Sequence, residues 1–165
     1  GGSEYLKTVC GQVAGSLAPL SLDSERRLQQ LLVELAAAGL IQSAHDCSDG
    51  GLAVALAECC FDSGGAGADL MMPDDASGGR TDVAEASILF GEAPSRVLVS
   101  IAESDFGIVR KKVEIAGVPI AAQGQTGGDR ITISLAGRQV LDLPVADAEA
   151  AWRQGMERFF VNRAA

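Results

Sequence analysis

The amino-acid sequence predicts an α+β fold in which a mixed β-sheet is layered with α-helices. Three patterns support this class: apolar residues at helical spacing, short alternating segments typical of strands, and a β-hairpin near the end of the chain. The hairpin is predicted at 131–135 and 139–143, and it favours a mixed sheet over an all-parallel, doubly wound one. With 165 residues, 47% of them hydrophobic, the chain can fill the core of one domain.

The first part of the chain is interpreted as a lead-in followed by a helix. Residues 1–20 lack clear periodicity and contain Pro19, so we interpret them as an interdomain linker ahead of a domain at 21–165. An amphipathic helix is predicted from Ser24 to Gly39, a residue suited to a C-terminal cap. Its apolar face is formed by Leu28, Leu31, Leu32 and Leu35.

Further along the chain, predicted strands and helices alternate. Strands are predicted at 67–72, 97–101 and 118–123. Helices are predicted from Thr81 or Asp82 to Leu89, from a Ser104 cap to Gly117, and after Pro144. The polar run 73–80 predicts a loop. Helical spacing predicts core positions in the last helix for Trp152, Met156 and Phe159.

The candidate functional segment is a polar turn between a short strand and a buried helix. Residues 41–45 alternate apolar and polar side chains, and residues 52–61 are almost wholly apolar. Between them, Ser48 or Asp49 is predicted to cap the helix. The segment is therefore predicted to be a strand, a tight loop and the start of a helix.

The same turn contains the residue types that bind a magnesium nucleotide. Gly50 and Gly51 allow backbone N–H groups to face outward at a helix N-terminus, where phosphate is favoured. Asp46 and Asp49 offer the hard oxygen ligands that Mg²⁺ prefers. Because two carboxylates beside a phosphate require a metal, this hypothesis depends on Mg²⁺. The alternative is an ordinary strand-to-helix connection that performs no chemistry.

Composition argues against several functional classes. Thirteen basic and twenty-two acidic residues give a formal charge of −9, which disfavours binding to nucleic acid or to an anionic membrane surface. The sequence contains neither an apolar run long enough to span a membrane nor a signal-peptide pattern, so a cytoplasmic location is expected. One histidine and no Cys-x-x-Cys pair argue against zinc, and the four cysteines are interpreted as buried free thiols.

Three segments resemble, in the same order, parts of one enzyme family. They are Gly1-Gly2-Ser3-Glu4-Tyr5, the stretch from Ser43 to Glu58 around His45-Asp46-Cys47-Ser48-Asp49-Gly50-Gly51, and Leu89-Phe90-Gly91-Glu92-Ala93-Pro94-Ser95-Arg96-Val97. Together they resemble the last domain of phosphoribosylformylglycinamidine synthase, the ATP-dependent amidoligase of purine biosynthesis. That domain belongs to the aminoimidazole ribonucleotide synthetase superfamily.

The resemblance implies that the chain is a fragment, the C-terminal member of the second of two domain pairs. It implies an auxiliary site for Mg²⁺ with ATP or ADP, in which Asp46 ligates the metal. Nucleotide binding is assigned, on this resemblance, to Ser48, Asp49, Gly50 and Gly51. Glu92 matches a substrate-holding glutamate of the other pair, although the Glu-Ser-Gln turn of the family reads Glu92-Ala93-Pro94 here. No catalytic residue is assigned to this chain.

The implied activity belongs to a whole enzyme, which uses ATP and ammonia to convert the formyl amide oxygen of formylglycinamide ribonucleotide to an amidine nitrogen. The implied partners are the preceding domains and a glutaminase subunit or domain that supplies ammonia. An isolated copy is expected to be inactive and able to form a homodimer through surfaces that its neighbours would cover. Two alternatives stay open: a structural domain with an empty cleft, or a domain of another ATP-using superfamily member, such as a selenophosphate or thiamin-phosphate kinase relative.

Overall fold

The computed structural model describes residues 2–73 and 82–161, with 82–84 and 156–161 as backbone alone. Its helices are α1 (Glu4–Cys10), α2 (Leu22–Ala37), α3 (Gly51–Cys60), α4 (Asp82–Phe90), α5 (Phe106–Ala116) and α6 (Val145–Val161). Its strands are β1 (Ser43–Asp46), β2 (Ala68–Met72), β3 (Val97–Ser100), β4 (Gln123–Thr126), β5 (Arg130–Leu135) and β6 (Arg138–Pro144). The predicted α+β class is therefore confirmed.

The chain divides into two compact units. Unit 1 comprises Gly1–Ala55 and Ser77–Ala121, and unit 2 comprises Leu56–Ala76 and Ala122–Ala165. The strands form two sheets instead of the single sheet that the sequence predicted. One sheet is the pair β1-β3, and the other has the strand order β4-β2-β5-β6. The boundaries inferred from the sequence, a lead-in at 1–20 and a domain at 21–165, stay predictions.

Unit 1 is built around the packing of α2 against α5. One buried cluster of this unit consists of Leu31 and Leu35 from α2 together with Val109 from α5. The α2 helix begins before the predicted start because Ser21 caps it, its side chain accepting a hydrogen bond from the N–H of Ser24. The apolar spacing of the leucines thus predicted the buried face correctly.

The α5 helix ends at Gly117, as predicted, but it does not start at a Ser104 cap. A 3-10 turn at Glu103–Asp105 leads directly into Phe106, and no side chain makes a capping hydrogen bond at either start. The chain therefore enters α5 through backbone geometry alone.

The pairing of β1 with β3 positions the candidate loop. The two strands are antiparallel, with Ser43 opposite Ser100 and Asp46 opposite Val97. The end of β1 consequently lies beside the start of β3. The loop that follows β1 must therefore lie next to the turn that precedes β3.

Unit 2 is organised around a mixed four-stranded sheet. β5 pairs in parallel with β2 and antiparallel with β6, and β4 adds an antiparallel edge strand to β2. The predicted terminal hairpin is confirmed as β5 and β6. The centre of the sheet is its most buried part, because Ile131 and Ile133 of β5 are 0% exposed and Val145, at the start of α6, is 1% exposed.

Two predictions in unit 2 are wrong. The strand predicted at 118–123 forms later, as β4. Trp152 does not lie in the core: it is 54% exposed, and its ring rests against Phe61 at a centroid separation of 5.5 Å. The side chains of Met156 and Phe159 fall outside the described residues.

The structure describes Pro73 but not residues 74–81. The rest of the loop predicted at 73–80 and the cap predicted at Thr81 therefore lie outside the described residues. The helix that follows is present as α4. Among residues 2–73 and 82–161, no helix has both the length and the apolar character that crossing a membrane requires.

Candidate functional site

The candidate loop, residues 46–51, connects β1 to α3 and rests on the segment 90–96 that precedes β3. The N–H of Cys47 donates to the carbonyl oxygen of Arg96 at 2.9 Å, which extends the strand pairing by one hydrogen bond. The Cys47 side chain is buried, and desolvation raises the pKa of its thiol. Cys47 therefore anchors the loop as a small apolar residue.

Asp46 is one of two exposed acidic residues in the loop. The hydroxyl of Ser48 donates to its Oδ2. Two hydrogen bonds lower the pKa of the Asp46 carboxyl: the one from Ser48 has the larger effect, and the one from the backbone N–H of Asp46 itself has the next largest. His45 Nδ1 lies 2.7 Å from the carbonyl oxygen of Asp46, and because a carbonyl only accepts, Nδ1 is the donor. Asp46 is therefore an ionised carboxylate that faces solvent at neutral pH.

The two glycines of the loop use their N–H groups within the protein. Gly50 N donates to Oε1 of Glu92 at 2.9 Å, and Gly51 N donates to the carbonyl oxygen of Ser48 at 3.0 Å. The expectation that these N–H groups face outward is thus not what the structure shows. Nucleotide contact by Gly50 and Gly51 stays a prediction, as it does for Ser48 and for Asp49, an exposed residue.

Gly51 is also the point at which the loop touches the neighbouring turn. Its φ is +68°, in the left-handed region that favours glycine. A Cβ at this position would lie 2.8 Å from both the carbonyl oxygen of Gly91 and the carbonyl carbon of Phe90. Since these are backbone atoms, the loop and the turn can approach this closely only because residue 51 lacks a side chain.

Glu92 occupies the position at which a helix favours an anion. Its Oε1 accepts hydrogen bonds from Gly50 N, just before α3, and from Glu4 N, at the start of α1. The negative carboxylate therefore lies at the positive end of α3. Substrate contact by Glu92 stays a prediction, and sequence spacing did not indicate this hydrogen-bonding role.

Arg96 fixes the turn from its other end. Its guanidinium donates to the carbonyl oxygen of Gly91 at 3.0 Å and to that of Ile88 at 3.4 Å, which satisfies carbonyls at the C-terminal end of α4. Ser95, at a φ of +62°, donates to the carboxylate of Glu25, and this hydrogen bond, ahead of one from Gln29, lowers the Glu25 pKa. The turn is therefore held by α2 as well as by α4.

The lead-in helix α1 docks on the same turn. Tyr5 stacks on Phe90 with a centroid separation of 4.7 Å and an angle of 8° between the rings. Ser3 caps α1 by accepting a hydrogen bond from Leu6 N, and Gly11 ends the helix. This helix was not predicted from the sequence, although Ser3 and Gly11 are typical signals of a helix start and a helix end.

The donor set for a metal in this loop is small. Within residues 2–73 and 82–161, no group of three or more histidine, cysteine, aspartate or glutamate side chains could hold a metal ion. Mg²⁺ commonly takes only one or two carboxylates and completes its shell with waters and phosphate oxygens. Asp46 is an exposed carboxylate of this kind.

Comparison with protein families and curated proteins agrees with the resemblance. The protein-family model described as AIR synthase related protein, C-terminal domain, matches residues 1–135 of this chain. The chain is 40% identical over 156 residues to the phosphoribosylformylglycinamidine synthase subunit PurL of Thermomicrobium roseum, and 41% identical over 165 residues to that of an Anaeromyxobacter species. Each match covers 94% of this chain and 20% of the relative. The chain thus spans about a fifth of these relatives' length.

Solved structures share the fold at lower identity. Thermotoga maritima PurL complexed with ADP has a TM-score of 0.61 at 19% identity, covering 79% of this chain and 22% of that one. The same protein complexed with ATP has a TM-score of 0.59 at 18% identity, covering 90% and 23%. The structure of PurLQS from Thermotoga maritima has a TM-score of 0.58 at 19% identity, covering 87% and 24%.

Proposed function

We propose that this chain is one domain of a phosphoribosylformylglycinamidine synthase, because it belongs to the family of AIR synthase related protein C-terminal domains. The single observation that supports this assignment is identity of about two residues in five to PurL subunits across 94% of the chain. The enzyme would be an ATP-dependent carbon–nitrogen ligase of purine biosynthesis. A cytoplasmic location is part of the proposal.

In the proposed reaction, ATP phosphorylates the formyl amide oxygen of formylglycinamide ribonucleotide, and ammonia then displaces the phosphate to leave an amidine. Such chemistry depends on positioning and charge stabilisation by the protein. The proposal assigns no catalytic residue to this chain. It assigns the groups that touch ATP and substrate mainly to the preceding domains, and the ammonia supply to a glutaminase subunit or domain.

For the loop at 46–51, the proposal is an auxiliary magnesium-nucleotide site. Asp46 would supply one carboxylate ligand to Mg²⁺, and nucleotide phosphates and water would supply the others. Ser48 and Asp49 would lie beside the nucleotide. The exposure of Asp46 and the lowering of its pKa support this role, because a metal ligand must be accessible and ionised.

A second candidate is a purely structural domain whose loop binds no ligand. This candidate is favoured by the internal hydrogen bonds of Gly50 N and Gly51 N, which use two donors of the kind that a phosphate needs. The carboxylate of Glu92 next to α3 would also repel a phosphate that lacked a metal. Asp46 ligates Mg²⁺ in the first candidate and binds no ligand in the second.

Calorimetry on the full-length enzyme can separate the two candidates. Magnesium-ADP would be titrated into the wild type, Asp46→Asn and a control, Asp23→Asn, which removes an equivalent charge from an exposed position in the first turn of α2. The auxiliary site predicts that Asp46→Asn weakens binding by about tenfold or more, while the control changes nothing. Equal affinity for all three proteins would favour the structural candidate.

The isolated 165-residue chain offers a test of the fragment hypothesis. We expect no hydrolysis of ATP that depends on formylglycinamide ribonucleotide, because the proposal assigns the catalytic groups elsewhere. Robust turnover would refute this expectation. Exposed apolar side chains, such as Val13 at 76%, Leu17 at 88% and Ile115 at 78%, are the proposed contacts for missing domains. Concentration-dependent dimerisation in analytical ultracentrifugation is the corresponding expectation for an isolated copy.

A further inference from the structure

We propose that Glu92 is a positioning residue that couples docking of the lead-in helix α1 to the conformation of the candidate loop. One atom makes both connections: Oε1 lies 2.9 Å from Gly50 N and 2.8 Å from Glu4 N. Gly50 belongs to the loop and Glu4 opens α1. A single carboxylate oxygen therefore joins segments that are 42 and 88 residues from it in the sequence.

The backbone around Glu92 is held on both sides, so the carboxylate cannot easily follow a displaced partner. Tyr5 of α1 stacks on Phe90, the last residue of α4 and the first of the segment 90–96. Arg96 donates to the carbonyl oxygen of Gly91, and backbone atoms of Phe90 and Gly91 pack closely against Gly51. If α1 detaches, Phe90 and Glu92 both lose contacts, and each of these residues touches the loop.

This role requires a hydrogen-bond acceptor but not a negative charge. Both donors are uncharged backbone N–H groups, and both use the same oxygen. A glutamine at position 92 retains an Oε1 with two lone pairs and can accept the same two bonds. A glutamate that ligated a metal or fixed a cationic substrate group would not be replaced by glutamine in this way.

The consequence for ligand binding rests on the proposed function. The loop contains Asp46 and Ser48, so release of α1 would change the affinity for magnesium-ADP by altering the loop, without any contact between α1 and the ligand. The hydrogen-bonding role itself does not depend on a nucleotide, because it concerns two backbone N–H groups that can be observed without any ligand.

Amide hydrogen exchange measured by NMR on the 165-residue chain tests the positioning role. In Glu92→Ala, the amides of Gly50 and Glu4 should both exchange several-fold to about tenfold faster, the effect of losing one hydrogen bond at each donor. In Glu92→Gln, both rates should stay close to the wild type. The control Glu4→Ala removes the side chain that contacts Lys7 but keeps the backbone N–H, so the Gly50 rate should not change.

In the Glu92 variants, either of two results would overturn the proposal: unchanged exchange at Gly50 in Glu92→Ala, or equal acceleration in the alanine and glutamine variants. Tyr5→Ala provides a test that leaves Glu92 intact, in case Glu92→Ala does not fold. It should accelerate Glu4 and Gly50 together, and acceleration of Glu4 alone would also overturn the coupling.

The same Tyr5→Ala change in the full-length enzyme should weaken magnesium-ADP binding severalfold. If the wild-type enzyme binds no magnesium-ADP at this loop, the proposed auxiliary site fails while the exchange result still decides the positioning role. If the wild type binds and Tyr5→Ala leaves the affinity unchanged, the coupling is refuted while the proposed site stands.

Discussion

Replacing Gly51 with alanine should destabilise the protein more than the same change at another left-handed glycine. Gly39, which follows α2, is a matched control because its φ is also +68°. A Cβ on Gly39 would meet no atom of the described chain within 4 Å, whereas one on Gly51 would meet backbone atoms at 2.8 Å. The two variants therefore share the backbone strain and differ in the steric clash.

The expected magnitudes follow from these two terms. A left-handed conformation costs a residue with a Cβ roughly 1–2 kcal/mol, and this is the whole effect expected for Gly39→Ala. The contact with Phe90 and Gly91 should add about 1–3 kcal/mol to Gly51→Ala, the usual cost of inserting a methyl group into a packed region. For a protein of this size, that addition corresponds to a further fall in Tm of roughly 2–12 °C.

Urea unfolding followed by circular dichroism, together with thermal melts, would measure both variants against the wild type. The free energy of unfolding should fall further for Gly51→Ala than for Gly39→Ala. Equal losses, or a larger loss for Gly39→Ala, would refute the close contact between the candidate loop and the turn at 90–91. The same result would remove a main support for coupling between that turn and the loop.

Three further predictions concern Asp46, the core of unit 2 and the cysteines. Ser48→Ala should raise the pKa of Asp46 toward its ordinary value in an NMR titration. Because the folded-state pKa is lowered, ionised Asp46 contributes stability above the unfolded-state pKa, and this stability is lost as the pH falls through the folded-state pKa. The variant should therefore lose less stability in acid than the wild type. Ile133→Ala should cost about 2–5 kcal/mol in urea unfolding, and Met71→Ala, at a 57% exposed site, should cost less than about 1 kcal/mol, so equal losses would contradict the assigned core. Labelling with a thiol reagent should modify two cysteines rapidly and two only on unfolding, and a fast reaction at all four would contradict the burial that the structure assigns. The fast pair should be Cys10 and Cys59, because both are exposed, so the interpretation of all four thiols as buried is wrong for these two.

The candidate loop could be predicted from sequence because its signals are local. A short alternating strand, two adjacent glycines and a continuous apolar run set the order strand, turn and helix within twenty residues. The terminal hairpin was predictable for the same reason. The pairing of β1 with β3 was not predictable, because the sequence of neither strand indicates which other strand it will pair with.

β4 shows why the pattern of apolar residues can mislead. The segment at 118–123 contains apolar residues, yet Val118 packs against the α2–α5 core, and the strand forms over the polar sequence Gln123–Thr126. An edge strand is held by backbone hydrogen bonds and needs no buried side chains, so hydrophobic periodicity does not mark it. Gly124 was a usable sign, since a Cβ there would lie 2.0 Å from the carbonyl oxygen of Asp69 on β2.

Glu92 shows what sequence spacing leaves out. The substrate contact implied by its family position stays a prediction, while the structure adds two backbone donors from segments far away in the sequence. No spacing rule relates a glutamate to N–H groups at such separations. Roles of this kind become visible only when the tertiary contacts are known.

The parallel pairing of β2 with β5 constrains the order in which the protein can fold. The paired residues Asp69 and Thr132 lie 63 positions apart, and the intervening chain includes the whole second segment of unit 1, Ser77–Ala121. During synthesis, β2 leaves the ribosome long before its central partner exists. Early condensation of the Ser77–Ala121 segment with the N-terminal part of the chain would shorten the loop that β2 and β5 must close, and would lower its entropic cost. Unit 1 is therefore expected to acquire protection first in pulsed hydrogen-exchange refolding, with the four-stranded sheet of unit 2 completing last.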